Sequence, residues 1–149
     1  MKKLLFFGLV LNSILYVKAQ SADDSVIATV NKFFLAMKNA DILSLKSTLA
    51  ENALLHTVVN DGSKTSVKNE DIAAFVAMVA QLKAGDADEQ IKFETVKTDG
   101  PLASVWTPYQ FYYKGALSHC GINSFQLVRI NNEWKIQYII DTRKKTGCK

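Results

Sequence analysis

The sequence predicts an α+β domain in which helices come first and an antiparallel sheet follows. In the first half, apolar residues recur every three or four positions, the period of amphipathic helices. From about residue 90 onward they alternate, the period of strands with one buried face. Helices followed by strands on short turns is the layout in which the helices cover one face of the sheet.

Residues 1–19 read as a leader. Lys2 and Lys3 give a positive start, "LLFFGLVLNSILYV" over residues 4–17 is the apolar middle, and a small residue, Ala19, ends it. That is the pattern of a secretory signal peptide cleaved after Ala19. A membrane span needs about 20 apolar residues, and this run is shorter and broken by Asn12 and Ser13. The expectation is an exported protein, periplasmic or secreted, with no membrane span and a single domain over residues 20–149. The whole chain has 18 basic and 14 acidic side chains, and the leader holds three of the basic ones. What is left is nearly neutral, without the concentrated basic surface that nucleic-acid binding requires. About 130 residues suffice for one domain with one core. An exported protein can keep a disulfide, but sequence cannot show whether Cys120 and Cys148 meet.

The elements follow in order. "SADDSVIATVNKFFLAMKNA" places Val26, Val30, Phe33 and Met37 on one helical stripe, with Ser21 and Asp24 as a capping-box-like start. "DILSLKSTLA" is a short second helix, capped by Asp41, with Ile42, Leu45 and Leu49 inward. "ENALLHTVV" reads as a strand and "NDGS" as a turn. A third helix is expected over roughly residues 68–82, with Ile72, Phe75, Val76, Val79 and Leu82 on one face. "KAGDADE" breaks it. "QIKFETVKTD" alternates, with Ile91, Phe93 and Thr95 on one side. "LASVWTPYQFYYKG" is a long aromatic strand in which Pro108 predicts an edge or a bulge. "SHCGINSFQLVRI" and "EWKIQYIIDTR" close the chain as a hairpin on Asn131–Asn132.

With those two residues as the turn, Leu127 faces Ile136 and Phe125 faces Tyr138. Phe125, Leu127, Trp134, Ile136 and Tyr138 then share a buried face, joined by His119 and Asn123, while Cys120 points outward. Gly121 would leave room on the inner wall. For the preceding hairpin, a three-residue loop containing Gly115 opposes Phe111 to His119 and Tyr113 to Leu117, which keeps the apolar faces in step. Tyr109, Phe111 and Tyr113 then line the same concavity as His119 and Asn123.

The order of elements, and above all "VWTPYQFYYKG…SHCGINSFQLVR…EWKIQYIIDTR", resembles the nuclear transport factor 2-like superfamily, in its exported bacterial lumazine-binding or SnoaL-like branches. The resemblance covers residues 22–145. It implies a cone-like curved antiparallel sheet wrapped around the N-terminal helices, a pocket open at one end, and a homodimer through the outer sheet face. Superfamily members include isomerases, dehydratases, cyclases and non-catalytic binders, so the fold alone selects no function. Isomerases of the superfamily carry a carboxylate base on the first strand. In the matching stretch, "AENALLHT", this chain has His56 and Thr57 there instead.

The chemistry is weighed residue by residue. His119 and Cys120 are strand neighbours and point to opposite faces, which argues against a Cys–His nucleophile. Two histidines and no CxxC do not make a zinc site, and no cofactor is expected. Three residues are candidates for acid–base work: His56 if it faces the pocket, and His119 paired with Asp141. In the simple register Asp141 faces outward opposite Ile122, so the pair requires a bulge in "YIID"; otherwise Asp141 makes an ion pair with Arg143 or with a neighbouring chain. The favoured expectation is a non-catalytic binder of a small apolar or aromatic molecule, with Tyr109, Phe111, Tyr113, His119, Asn123, Phe125 and Tyr138 as the wall. The alternatives are an isomerase-, dehydratase- or cyclase-type enzyme with a histidine base, and a dimeric interaction module without a ligand.

Overall fold

The computed structural model describes residues 22–60 and 62–148. The leader, the Ser21 half of the capping box and Asp61 of the expected turn lie outside them. Helix α1 (Ala22–Lys38) buries Val26, Val30, Phe33 and Met37 as its stripe predicts, and Phe34 beside them. Helix α2 (Ile42–Thr48) starts at Asp41, whose side chain accepts from the Ser44 backbone N–H at 3.0 Å. Strand β1 (Leu49–Asn60) follows directly and turns back into β2 (Thr65–Glu70).

Strand β2 corrects the expected third helix. Residues 68–70 extend the hairpin, and α3 spans only Ile72–Val79, with Asp71 capping it by accepting from Ala74 N at 2.7 Å. An aspartate cap ends the extended segment that a helical stripe alone would have run through. The single strand expected over residues 90–99 is likewise two, β3 (Ala87–Ile91) and β4 (Thr95–Asp99), both pairing with β5 (Leu102–Tyr113). Pro108 lies opposite the break between them. It has no N–H to give, and its carbonyl accepts from Lys92 N at 3.0 Å.

Strands β6 (Ala116–Ile130) and β7 (Glu133–Thr142) complete a curved sheet of order β2-β1-β7-β6-β5-β3, with β4 also on β5. Among the described residues β1 and β7 run parallel and the other strand pairs antiparallel. The helices lie against the concave face. Phe33 and Phe34 of α1 meet Phe125 of β6 edge-on, with ring centroids 6.4 and 5.8 Å away, and Phe33 stacks on Phe75 of α3 at 6.1 Å. Edge-to-face rings at such distances add attraction beyond their burial. Trp134 closes one end, its Nε1 donating to Ser25 Oγ at 3.2 Å.

Both hairpins depart from the simple registers, each by one residue. Asn131 and Asn132 adopt left-handed backbone, as a two-residue turn demands, and Leu127 does face Ile136. Beyond that pair the ladder slips: Gln126 faces Tyr138 and Phe125 faces Ile139. The extra residue is Gln137. At the same level β1 leaves the ladder between Leu49 and Leu54, and Gln137 Nε2 donates to the Asn52 carbonyl at 2.9 Å. The bulge therefore forms where the neighbouring strand gives it a partner. It turns Tyr138 to the outer face and brings Ile139 and Asp141 inside. The other hairpin closes on two residues, Lys114 and Gly115, both left-handed. Phe111 faces His119 as expected, but Tyr112 faces Leu117 and Tyr113 faces Ala116, so an irregularity at Ser118 does what a third loop residue was expected to do.

Candidate functional site

The concave face does not fill completely. Between α1 and α3 on one side and β3, β5, β6 and β7 on the other is a cavity of about 410 Å³. Its body is apolar, built from Phe33 and Met37 of α1, Phe75 and Met78 of α3, and Phe111 and Phe125 of the sheet. Polar groups converge at one end: Glu89, His119, Asn123, Asp141 and Arg143, with Glu70 and Asp71.

Each polar side chain is held by its neighbours. Asn123 Nδ2 donates to Glu89 Oε1 at 2.7 Å. Arg143 Nε donates to Asp141 Oδ2 at 2.7 Å, which is also their ion pair. The Tyr109 hydroxyl donates to the Thr142 carbonyl at 3.0 Å and, at 3.4 Å, to Asp141 Oδ2. The His119 ring stands between Tyr109 and Phe111, with centroids 5.7 and 4.9 Å away. Asp141 is only 6% exposed, and its Oδ1 has no hydrogen-bond partner in the protein.

Burial dominates the electrostatics. It pushes the Glu89 carboxyl up to about 7; the Asn123 hydrogen bond opposes the rise and the Asp141 charge adds to it. Burial lowers the His119 pKa, and the nearby Arg143 charge lowers it further, so its ring is neutral at pH 7. Burial and the charge of Glu89 raise the Tyr109 pKa and keep its hydroxyl protonated. For Arg143, burial works against the charge, but the hydrogen bond and charge of Asp141 outweigh it and raise its pKa.

Of the residues read from sequence, Phe111, Tyr113, His119, Asn123 and Phe125 line the cavity, and so does Asp141. Tyr109 is buried behind His119 and does not reach the lumen. Gly121 explains its place. A Cβ there would meet the Thr142 backbone and Tyr109 Cε1, so the space the glycine leaves is filled by close approach of β7 and Tyr109 and adds nothing to the cavity. Tyr138 is on the outer face, where its hydroxyl lies 3.0 Å from His56 Nδ1. His56 alternates with Leu55 and Thr57, which point inward, so neither His56 nor Tyr138 touches the cavity. Cys120, on the outer side of β6, is bonded to Cys148.

The sequence reading missed Glu89, the most perturbed carboxyl at the site. A signal is present: Ile91, Phe93 and Thr95 share one side of the strand, and one more period of the same alternation reaches Glu89. The expected strand starts only at Gln90, after the helix-breaking "KAGDADE", and so leaves Glu89 out. Among the described residues no group of three or more histidine, cysteine or carboxylate side chains is arranged to hold a metal ion.

Comparison with known proteins gives the fold. No family model matches the chain, and no curated protein does. Solved structures match along most of its length. An NTF2-like protein of unknown function from Silicibacter pomeroyi superposes with a TM-score of 0.65 at 16% identity, over 80% of this chain and 93% of that one. A domain of unknown function with a cystatin-like fold from Nostoc punctiforme gives 0.64 at 18% identity, over 87% and 82%. A Streptomyces avermitilis protein of the NTF2-like family, provisionally named a dehydratase, gives 0.59 at 16%, over 82% and 95%.

Proposed function

We propose that this chain, whose fold is that of the nuclear transport factor 2-like and cystatin-like proteins, is an exported domain that binds a small molecule in its concave cavity. One observation carries the reading: a cavity of about 410 Å³ whose body is apolar and aromatic and whose polar groups gather at one end. That combination is the usual form of a small-molecule site. The apolar part of the ligand lies against Phe33, Phe75 and Phe111, and its polar part meets His119, Asn123 and Glu89. Export is supported by the leader-like residues 1–19 and by the Cys120–Cys148 bond, which suits an oxidising compartment. Among the described residues no helix is long and apolar enough to cross a membrane. Pairing of two copies through the outer sheet face is supported by Leu54 and Trp106, which stand 51% and 44% exposed there.

The test is native mass spectrometry of the protein purified from its host. A retained molecule gives its own mass, and the same spectrum reads the number of chains. Protein that is empty and shows no thermal shift with aromatic and sterol-like compounds refutes the binding reading. His119→Ala with unchanged affinity removes His119 from the site.

A second reading, an acid–base enzyme, is favoured by Glu89, whose pKa of about 7 suits proton transfer near neutral pH and which shares the cavity with Asp141. Such an enzyme would use Glu89 and His119, since His56 faces away. Incubation with the retained molecule separates the two: a change in its mass is turnover, and none leaves binding alone.

A further inference from the structure

We infer that the molecule taken by this cavity carries a protonated amine head, seated against Asp141 Oδ1 and Glu89, on an apolar body of ring size. The inference rests on the binding reading above and specifies its ligand.

Three observations lead to it. First, three donors of the polar end are already given to protein acceptors. Arg143 Nε gives to Asp141, Asn123 Nδ2 gives to Glu89, and the Tyr109 hydroxyl gives to the Thr142 carbonyl. Second, an acceptor is left over. Asp141 is more than nine-tenths buried on the cavity wall, with Oδ1 lacking a partner. A buried acceptor without a donor costs about 1–3 kcal/mol, and a ligand N–H removes that cost. Third, the charges are unbalanced. Four carboxyl groups, those of Glu70, Asp71, Glu89 and Asp141, line the cavity against one guanidinium, that of Arg143, with Glu89 partly protonated near neutral pH. Lys68 meets Glu70 at 3.0 Å, and Asp71 faces the N-terminus of α3, so Glu89 is the carboxyl without a cation of its own.

An ammonium answers all three at once. It gives up to three hydrogen bonds and brings the missing positive charge. A hydroxyl would satisfy Asp141 without balancing Glu89, and a carboxylate would be repelled by both. Proton linkage follows. The groups facing Glu89 are Tyr109 of β5, His119 of β6, Asp141 of β7 and Arg143 just after it. Of these only Arg143 is positive, and its Nε is hydrogen-bonded to Asp141. A bound cation favours the ionised form of Glu89, so amine binding near neutral pH expels a proton from it.

The experiment compares 2-phenylethylamine, 2-phenylethanol and 3-phenylpropionate by isothermal titration calorimetry at pH 6.5, in two buffers of different ionisation enthalpy. The amine is expected to bind at least tenfold tighter than the alcohol, with the acid undetectable, and its heat to differ between buffers by a fraction of a proton released. Asp141→Asn should weaken the amine at least tenfold and the alcohol by clearly less, because only the amine loses a charge partner. Glu89→Gln, a milder change, should abolish the buffer dependence. Alcohol or acid binding as tightly as the amine overturns the inference and leaves the binding reading standing. Amine binding unaffected by both variants overturns it too. None of the three binding up to its solubility overturns the inference, and native mass spectrometry then decides separately whether the cavity holds anything.

Discussion

Replacing Gly121 with alanine measures how tightly β7 is held over β6. The glycine backbone there is extended, so the cost is steric rather than conformational. The new Cβ would overlap the Thr142 carbonyl oxygen and come within 2.8 Å of its carbon and 3.0 Å of Tyr109 Cε1. Carbon atoms rest at about 3.5 Å or more, so the β7 backbone must retreat by roughly 0.7 Å at least. It is not free to do so. Thr142 O accepts from Tyr109 and Thr142 Oγ1 accepts from Ile122 N, while Cys120 and Lys144 exchange backbone hydrogen bonds of 3.0 and 2.9 Å. The Cys120–Cys148 bond ties the tail to the same strand. Overpacking costs about 1–3 kcal/mol, and giving up two of these hydrogen bonds adds roughly 1 kcal/mol each. The expected loss is about 3–5 kcal/mol, read by urea unfolding followed through Trp134 fluorescence as a lower midpoint at unchanged slope. Because Asp141 and Arg143 ride on the displaced strand, affinity for any retained ligand falls as well. A variant within about 0.5 kcal/mol of the parent would refute the close packing of β7 on Gly121.

Stability should depend on pH through Glu89. Its folded pKa of about 7 lies above the ordinary 4.5, so the folded chain binds the extra proton. That contribution is complete below pH 4.5 and is lost as pH rises through 7, a change on the order of 3 kcal/mol. Glu89→Gln flattens this part of a denaturation profile measured between pH 4.5 and 8; an unchanged slope would count against it. Cys148→Ser opens a loop of sequence separation 28 and should cost about 3.5 kcal/mol on the chain-entropy estimate, seen as a lower unfolding midpoint that reduction of the parent reproduces. Tyr138→Phe removes the partner of His56 and should cost about 1 kcal/mol while leaving affinity for a retained ligand unchanged; weaker binding would return Tyr138 to the site.

Much of this was legible in the chain because periodicity is a local property. The stripe Val26–Val30–Phe33–Met37 can form only one buried face, and strand parity alone placed His119, Asn123 and Phe125 inside and Cys120 outside. Asp41 was legible as a cap from its place before an apolar run. Registers were legible only where no bulge intervened or where the apolar faces had to stay in step, as for Phe111 and His119. Asn131–Asn132 set Leu127 against Ile136, but the slip at Gln137 depends on β1, some 80 residues earlier in sequence, leaving the ladder beside it. That one residue exchanged Tyr138 for Ile139 and turned Asp141 inward. Glu89 and the Cys120–Cys148 bond were likewise matters of which distant segments meet.

The sequence by itself determined the α+β layout, the helical and strand faces and the aromatic character of the concavity, since each follows from neighbours a few residues apart. Only the tertiary structure decided which polar groups share the cavity. Glu89 of β3, Asn123 of β6, Asp141 of β7 and Arg143 just beyond it meet because the sheet curves and a bulge and a glycine set β7 on β6, and no local pattern encodes that encounter.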